Sequence, residues 1–136
     1  PRNATPRGAR AAPTGKLRNV VLVSLQKGPG AAQAGNYFGR APLVNIGAEI
    51  QDYDDTTAIL DNLDVLVTVD TSVGHLAAAM GRPAWIMIAR APDWRWLLDR
   101  DDSPWYPTAR LFRQQRPGNW DGVVADMVRA IDILDD

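Results

Sequence analysis

The chain has 136 residues, a formal net charge of −1, 46% hydrophobic and 23% charged residues, which is the size and make-up of one ordinary globular domain. Cysteine is absent and histidine occurs once, which excludes disulfides, thiolate chemistry and multi-histidine zinc sites and fits a reducing, cytoplasmic setting. No stretch reaches the roughly 20 apolar residues that cross a bilayer, and no signal-peptide pattern is present.

The charge is unevenly spread. Arg2, Arg7, Arg10, Lys16 and Arg18 stand in a segment with no acid, whereas from residue 19 onward ten basic residues face sixteen acidic ones. Residues 1–18, rich in Pro, Gly, Ala and Arg with no apolar period, read as a disordered basic linker or tail. Residues 19–136 read as the folded domain, and the start at Pro1 suggests a piece of a longer protein. A body this acidic argues against nucleic acid as a partner, because phosphate neutralisation needs a basic face.

The first element is Asn19-Val20-Val21-Leu22-Val23-Ser24-Leu25, a continuous apolar run expected to form a strand buried on both faces. Gln26-Lys27-Gly28-Pro29-Gly30 ends it as a turn, and residues 31–38 make a weak helix candidate interrupted by Gly35. Residues 43–46 give a short second strand closed by Gly47. Asp55 or Thr56 is expected to cap a helix running to about Asn62, with Ile59, Leu60 and Leu63 facing inward. Residues 64–69 form a third strand. Ser72 is positioned to cap the next helix, which runs to Met80 with Gly81 at its C-terminal stop.

Residues 83–88 give a fourth strand, followed by an irregular segment rich in Trp, Asp and Pro. Residues 110–113 are a fifth strand at an edge, and residues 121–134 an amphipathic helix with Val124, Met127, Val128, Ile131 and Leu134 on one face. Strands alternating with helices predict an α/β, three-layer Rossmann-like domain with a mostly parallel sheet of about five strands. Ligands of such folds sit beyond the carboxyl ends of the strands. Three polar turns fall there: Gln26-Lys27-Gly28, Gly47-Ala48-Glu49 and Asp70-Thr71-Ser72.

The third of these joins a buried strand to a helix start, where free backbone N–H groups and partial positive charge suit a phosphate. Thr71 and Ser72 offer hydroxyls, and Lys27 offers an ammonium to the same anion. Asp70 beside a phosphate is repulsive, so a sugar hydroxyl or a backbone turn is its better partner. Each residue also has a plainer role: Asp70 or Ser72 as a helix cap, His75 as a hydrogen-bonded structural side chain, Lys27 and Glu49 as solvated surface. Trp94-Arg95-Trp96 and Trp105-Tyr106-Pro107 suit packing or docking better than stacking on a base or sugar. Such an aromatic surface, if exposed, favours self-association. The Gly-Pro-Gly turn is neither a G-x-G-x-x-G dinucleotide fingerprint nor a P-loop. A phosphoacceptor receiver domain requires an acidic pair where Gln26-Lys27 stands.

Ser24-Leu25-Gln26-Lys27-Gly28 followed by Asp70-Thr71-Ser72-Val73-Gly74-His75-Leu76-Ala77 resembles the carboxyl-terminal domain of GT-B glycosyltransferases, of the heptosyltransferase-like and O-GlcNAc-transferase-like groups. Pro92-Asp93-Trp94-Arg95-Trp96-Leu97-Leu98-Asp99-Arg100, with Ser103-Pro104-Trp105-Tyr106-Pro107, resembles the bacterial tetratricopeptide-containing branch. The resemblance runs over residues 19–134. It implies that the domain binds a nucleotide-diphosphate sugar. Lys27 would then contact the diphosphate, Ser24 and Gln26 line the pocket, and Thr71 and Ser72 take the distal phosphate. Asp70 and His75 would shape the turn or meet the sugar, and Glu49 would address the ribose or base.

The implied transfer is inverting and uses no metal and no cofactor, with Lys27, His75 and Asp70 as the catalytic group and the leaving charge stabilised by Lys27 and the helix end. Two departures stand out. Residues 28–42 are too few for the extra strand and helix of generic members. The amino-terminal half, which brings the acceptor site and general base, lies outside this sequence, so the fragment is expected to bind but not to catalyse. The alternative is a non-catalytic interaction module that keeps the fold.

Overall fold

The computed structural model describes residues 17, 19–37 and 39–134. The basic segment of residues 1–18 lies outside the described residues except for Leu17, which is buried with Ala41 and Val128. Two compact units are formed: one spans Asp52–Val123, and the other combines the described residues of 4–51 with those of 124–136. Among the described residues, five strands and three α-helices make a mixed α/β architecture in which every strand pairing is parallel. The expected five-strand sheet is registered as a two-stranded sheet, β1-β2, and a three-stranded sheet, β3-β4-β5.

In the first unit, β4 (Ala84–Ile88) lies between β3 (Leu66–Val69) and β5 (Ala109–Arg113). Ala84, Trp85, Ile86 and Ile88 are all buried. This is the behaviour of a strand covered on both faces, and a side chain such as Ile86 contributes about 1.5–3 kcal/mol when fully buried. β5 ends the sheet as an edge strand, as the short apolar run after the irregular segment suggested.

Helix α1 (Tyr53–Asn62) starts earlier than Asp55 or Thr56 capping allows. Asp52 is the cap, accepting the Asp55 amide at 3.0 Å, with Asp54 and Asp55 in the first turn. Acidic side chains there complement the positive helix end. Thr56 is instead buried and donates its hydroxyl to the Asp52 carbonyl at 3.2 Å. Of the expected inward residues, Leu60 is buried while Ile59 and Leu63 are half-buried.

Helix α2 (Ser72–Ala79) is capped by Thr71, not Ser72: the Thr71 hydroxyl accepts the Gly74 amide at 3.3 Å. A cap must sit outside the helix with extended backbone, and Thr71 does (φ −135°, ψ 164°). Gly81 follows the helix with φ +71°, the left-handed stop that its position suggested.

The second unit holds β1 (Leu22–Ser24) and β2 (Leu43–Asn45), registered Leu22 to Leu43 through Ser24 to Asn45. β1 is shorter than the apolar run predicts and only half-buried, and Val21 is exposed. An apolar run reports hydrophobicity, not how many neighbours a strand will have. Among the described residues its one ladder partner is β2. Residues Gly28–Asn36 form a 3₁₀ helix in place of the predicted α-helix over residues 31–38; Phe38 lies outside the described residues. Its Gly-Pro-Gly-Ala-Ala-Gln-Ala-Gly sequence has no apolar face to pack, so tighter local turns suffice.

Helix α3 (Trp120–Leu134) begins in the first unit and continues into the second. Val124 and Ile131 pack against the cluster of Leu17, Ala41 and Val128, and Met127 is buried. Leu134 is exposed, contrary to the helical-wheel reading, while Val123 is buried instead.

Candidate functional site

The three polar turns fall at the carboxyl ends of parallel strands, in two sets. In the second unit, the turn after β1 carries Gln26 and Lys27, and a short 3₁₀ turn after β2 (Gly47–Glu49) carries Glu49. These two turns touch. A Cβ on Gly47 would lie 2.1 Å from the Gln26 carbonyl oxygen, so only glycine lets the backbones approach this closely. Ser24 accepts the Ile46 amide through its carbonyl at 3.1 Å and the Gln26 amide through its hydroxyl at 3.4 Å. Lys27 donates to the Ile50 carbonyl, which ties it to the same pair of turns. One bond leaves an ammonium two further donors. Gln26, Lys27 and Glu49 are exposed.

The first unit holds the rest. The turn after β3 delivers Asp70, Thr71 and Ser72 to the start of α2. Gly74 lets α2 press onto the sheet: a Cβ there would meet the Thr68 methyl at 2.9 Å. Thr71 shares a 2.9 Å hydrogen bond with the Thr68 hydroxyl in addition to capping Gly74. Its hydroxyl is therefore occupied, and what the turn presents outward is the backbone N–H groups of Ser72 and Val73, which no helical turn can satisfy. Ser72 is exposed, its hydroxyl 3.4 Å from that of Tyr53.

His75, one turn along α2, is held on three sides. Its Nε2 lies 3.0 Å from Asp70 Oδ1 and its Nδ1 lies 3.1 Å from the Tyr106 hydroxyl. The ring stacks on Trp96, centroids 5.1 Å apart at 28°, with Tyr106 edge-on at 5.7 Å. Trp96 is 1% exposed and forms the floor of this cluster. The resemblance-based set of Asp70 and His75 is thus joined in space. Trp96 and Tyr106 complete it, an arrangement the sequence does not announce because Tyr106 lies 31 residues from His75. The available signal was the single histidine in a chain with two aromatic clusters downstream.

The segment that carries Trp96 is pinned to β5. Arg113 donates to the Trp96 carbonyl and, at 2.6 Å, to the Arg100 carbonyl. Burial pulls the Arg113 guanidinium below its ordinary pKa, while the charge of Asp99 pushes it back up. Asp93 caps the short 3₁₀ helix Trp94–Trp96, and the Arg95 amide it accepts, helped by the Arg95 guanidinium, holds its carboxyl below the usual carboxylate range. The Arg100 guanidinium, 2.5 Å away, lowers Asp102 in the same way. Trp94 and Trp105 are exposed, and the Trp105 indole donates to the Arg95 carbonyl at 3.1 Å.

A parallel α/β framework whose strand-end turn carries a capped helix start, with Asp70 and His75 joined at that turn, is the geometry of folds that bind ligands beyond the carboxyl ends of their strands. The family comparison is more specific. The family model of glycosyltransferase family 9 (heptosyltransferase) matches residues 18–88, just over half of the chain, and the chain belongs to that family. The chain is also similar to Protein FlbA of Caulobacter vibrioides, 29% identical over 80 residues, which is 59% of this chain and 13% of FlbA. The chain thus matches a small part of that relative's length. No solved structure gives a significant match. Among the described residues, no helix is long and apolar enough to cross a membrane, and no group of three or more His, Asp or Glu side chains could hold a metal ion.

Proposed function

We propose that this chain is the donor-binding, carboxyl-terminal half of an inverting, metal-independent GT-B glycosyltransferase that takes a nucleotide-diphosphate sugar. The observation that carries the proposal is the Thr71-capped start of α2, set at the end of β3 within the region that matches the glycosyltransferase family. In this reading the Ser72 and Val73 amides take the distal phosphate. Lys27 supplies a charge-assisted bond to the diphosphate, with Ser24 and Gln26 beside it and Glu49 toward the ribose or base. As the bond to the sugar breaks, negative charge grows on the leaving diphosphate, and a lysine and a helix end stabilise it without reorganising. A companion amino-terminal half supplies the acceptor site and the general base, so donor binding without transfer is the activity expected of this chain.

The test is calorimetry of nucleotide binding with Lys27→Ala, Thr71→Ala and Thr71→Ser. Lys27→Ala is expected to weaken binding about 10-fold or more, the scale of one charge-assisted hydrogen bond. Thr71→Ala is expected to do the same by loosening the helix start, and Thr71→Ser, which keeps the cap, is expected to bind normally. Unchanged affinity in both alanine variants sinks the reading and favours a non-catalytic module that retains the fold.

A further inference from the structure

We infer that His75 is a positioning residue that bridges Asp70 and Tyr106, and that the Asp70 carboxylate, not the imidazole, is the group that meets the sugar of the donor. Both ring nitrogens of His75 are already filled by protein partners, Asp70 at 3.0 Å and Tyr106 at 3.1 Å, and one ring face is filled by Trp96. A ligand would have to displace one of these to reach the imidazole. A carboxylate only accepts hydrogen bonds, so Nε2 carries the proton toward Asp70. In neutral His75, Nδ1 is then the acceptor, and the Tyr106 hydroxyl donates to it. The chain Tyr106 to His75 to Asp70 runs in one direction and fixes the carboxylate by its Oδ1.

Asp70 keeps its second oxygen for a ligand, and its side chain is 40% exposed beside the start of α2. A carboxylate close to a bound diphosphate is repelled by it, yet it is well suited to accept from sugar hydroxyls. Among the described residues, the titratable groups in hydrogen-bond contact with His75 are Asp70 and Tyr106. The rigidity of the bridge comes from below. Trp96 is buried, the Tyr106 carbonyl accepts the Ala109 amide at 3.1 Å, and Arg113 clamps the backbone of the 96–100 segment to β5.

What Asp70 meets rests on the donor-site reading; the bridge itself stands on the geometry alone. The experiment therefore has two arms. Because the chain has a single histidine, ¹⁵N NMR of the imidazole reads its state without assignment ambiguity. The expected spectrum shows a protonated, slowly exchanging Nε2 and a bare, hydrogen-bonded Nδ1, with Nε2–H exchange at least about 10-fold faster in Tyr106→Phe. An imidazole exchanging as freely as a solvated one overturns the bridge.

The second arm compares UDP, ADP and GDP with UDP-glucose, ADP-glucose and GDP-glucose. Asp70→Asn and Tyr106→Phe are expected to erase most of the affinity difference between a nucleotide and its sugar conjugate, with the bare nucleotide bound no more weakly, and more tightly in Asp70→Asn because a repelling charge is gone. His75→Gln, whose amide can donate to Asp70 and accept from Tyr106, is expected to restore the difference in large part. Loss of bare-nucleotide affinity in His75→Gln, with none lost in Asp70→Asn, makes His75 a direct phosphate ligand and overturns the assignment. If the unmodified chain binds none of the six, the donor reading fails and the sugar role of Asp70 fails with it, while the NMR arm still decides the bridge.

Discussion

Replacing Trp96 with alanine is expected to cost the first unit about 3–5 kcal/mol, the range for emptying a fully buried tryptophan site. Against a total stability of about 5–15 kcal/mol for a typical domain, that is a large fraction. The loss has identifiable parts. Trp96 is 1% exposed, it carries the stacked His75 ring, and its carbonyl anchors Arg113. Chemical denaturation followed by circular dichroism measures the cost. The phenylalanine variant sharpens the test. Among the described residues the Trp96 indole N–H has no hydrogen-bond partner, and an orphaned buried donor carries a penalty of about 1–3 kcal/mol. Trp96→Phe keeps an aromatic floor and removes that donor, so it is expected to be far milder than Trp96→Ala. Equal losses in the two variants contradict a floor whose value lies in ring contact.

Gly47→Ala is expected to destabilise the second unit by about 1–3 kcal/mol or more, the range for forcing an extra carbon into a closed site. The new Cβ would lie 2.1 Å from the Gln26 carbonyl oxygen and 3.0 Å from its carbonyl carbon. Neither atom belongs to a flexible side chain. The neighbouring Ile46 amide is bonded to Ser24, so the strand pair resists the shift. The turn that must move carries Lys27, and Lys27 loses its tie to Ile50 as it moves. Nucleotide affinity should therefore fall by about as much as in Lys27→Ala. A Gly47→Ala protein with full stability and undisturbed binding contradicts the close approach of these two turns.

The element order and the parallel strand character were readable in the residues because apolar runs and Gly or Pro punctuation are local. The caps lie ahead of the expected positions, Thr71 by one residue from Ser72 and Asp52 by three or four from Asp55 or Thr56. Several Asp, Ser and Thr residues stand near each helix start, and backbone conformation, not residue type, selects the cap. Leu134 and Val123 exchanged burial because periodicity orients a face without saying where its cover ends. Asp70 and His75 were legible as a spaced motif on one strand–helix turn. Tyr106 and the floor role of Trp96 were not, since a contact across a long loop leaves no periodic trace. Lys27 was legible as a charge at a strand end, but its bond to a backbone carbonyl depends on where Ile50 comes to rest.

The central claim is that this chain holds a donor nucleotide at the start of α2. The most direct measurement is amide chemical-shift mapping of the ¹⁵N-labelled chain with UDP, ADP, GDP and CMP, no metal added. The account predicts that one nucleotide produces saturable shifts, the largest at the Ser72, Val73 and Gly74 amides. A folded chain whose amides there stay unmoved by all four, or move alike with inorganic phosphate, contradicts it.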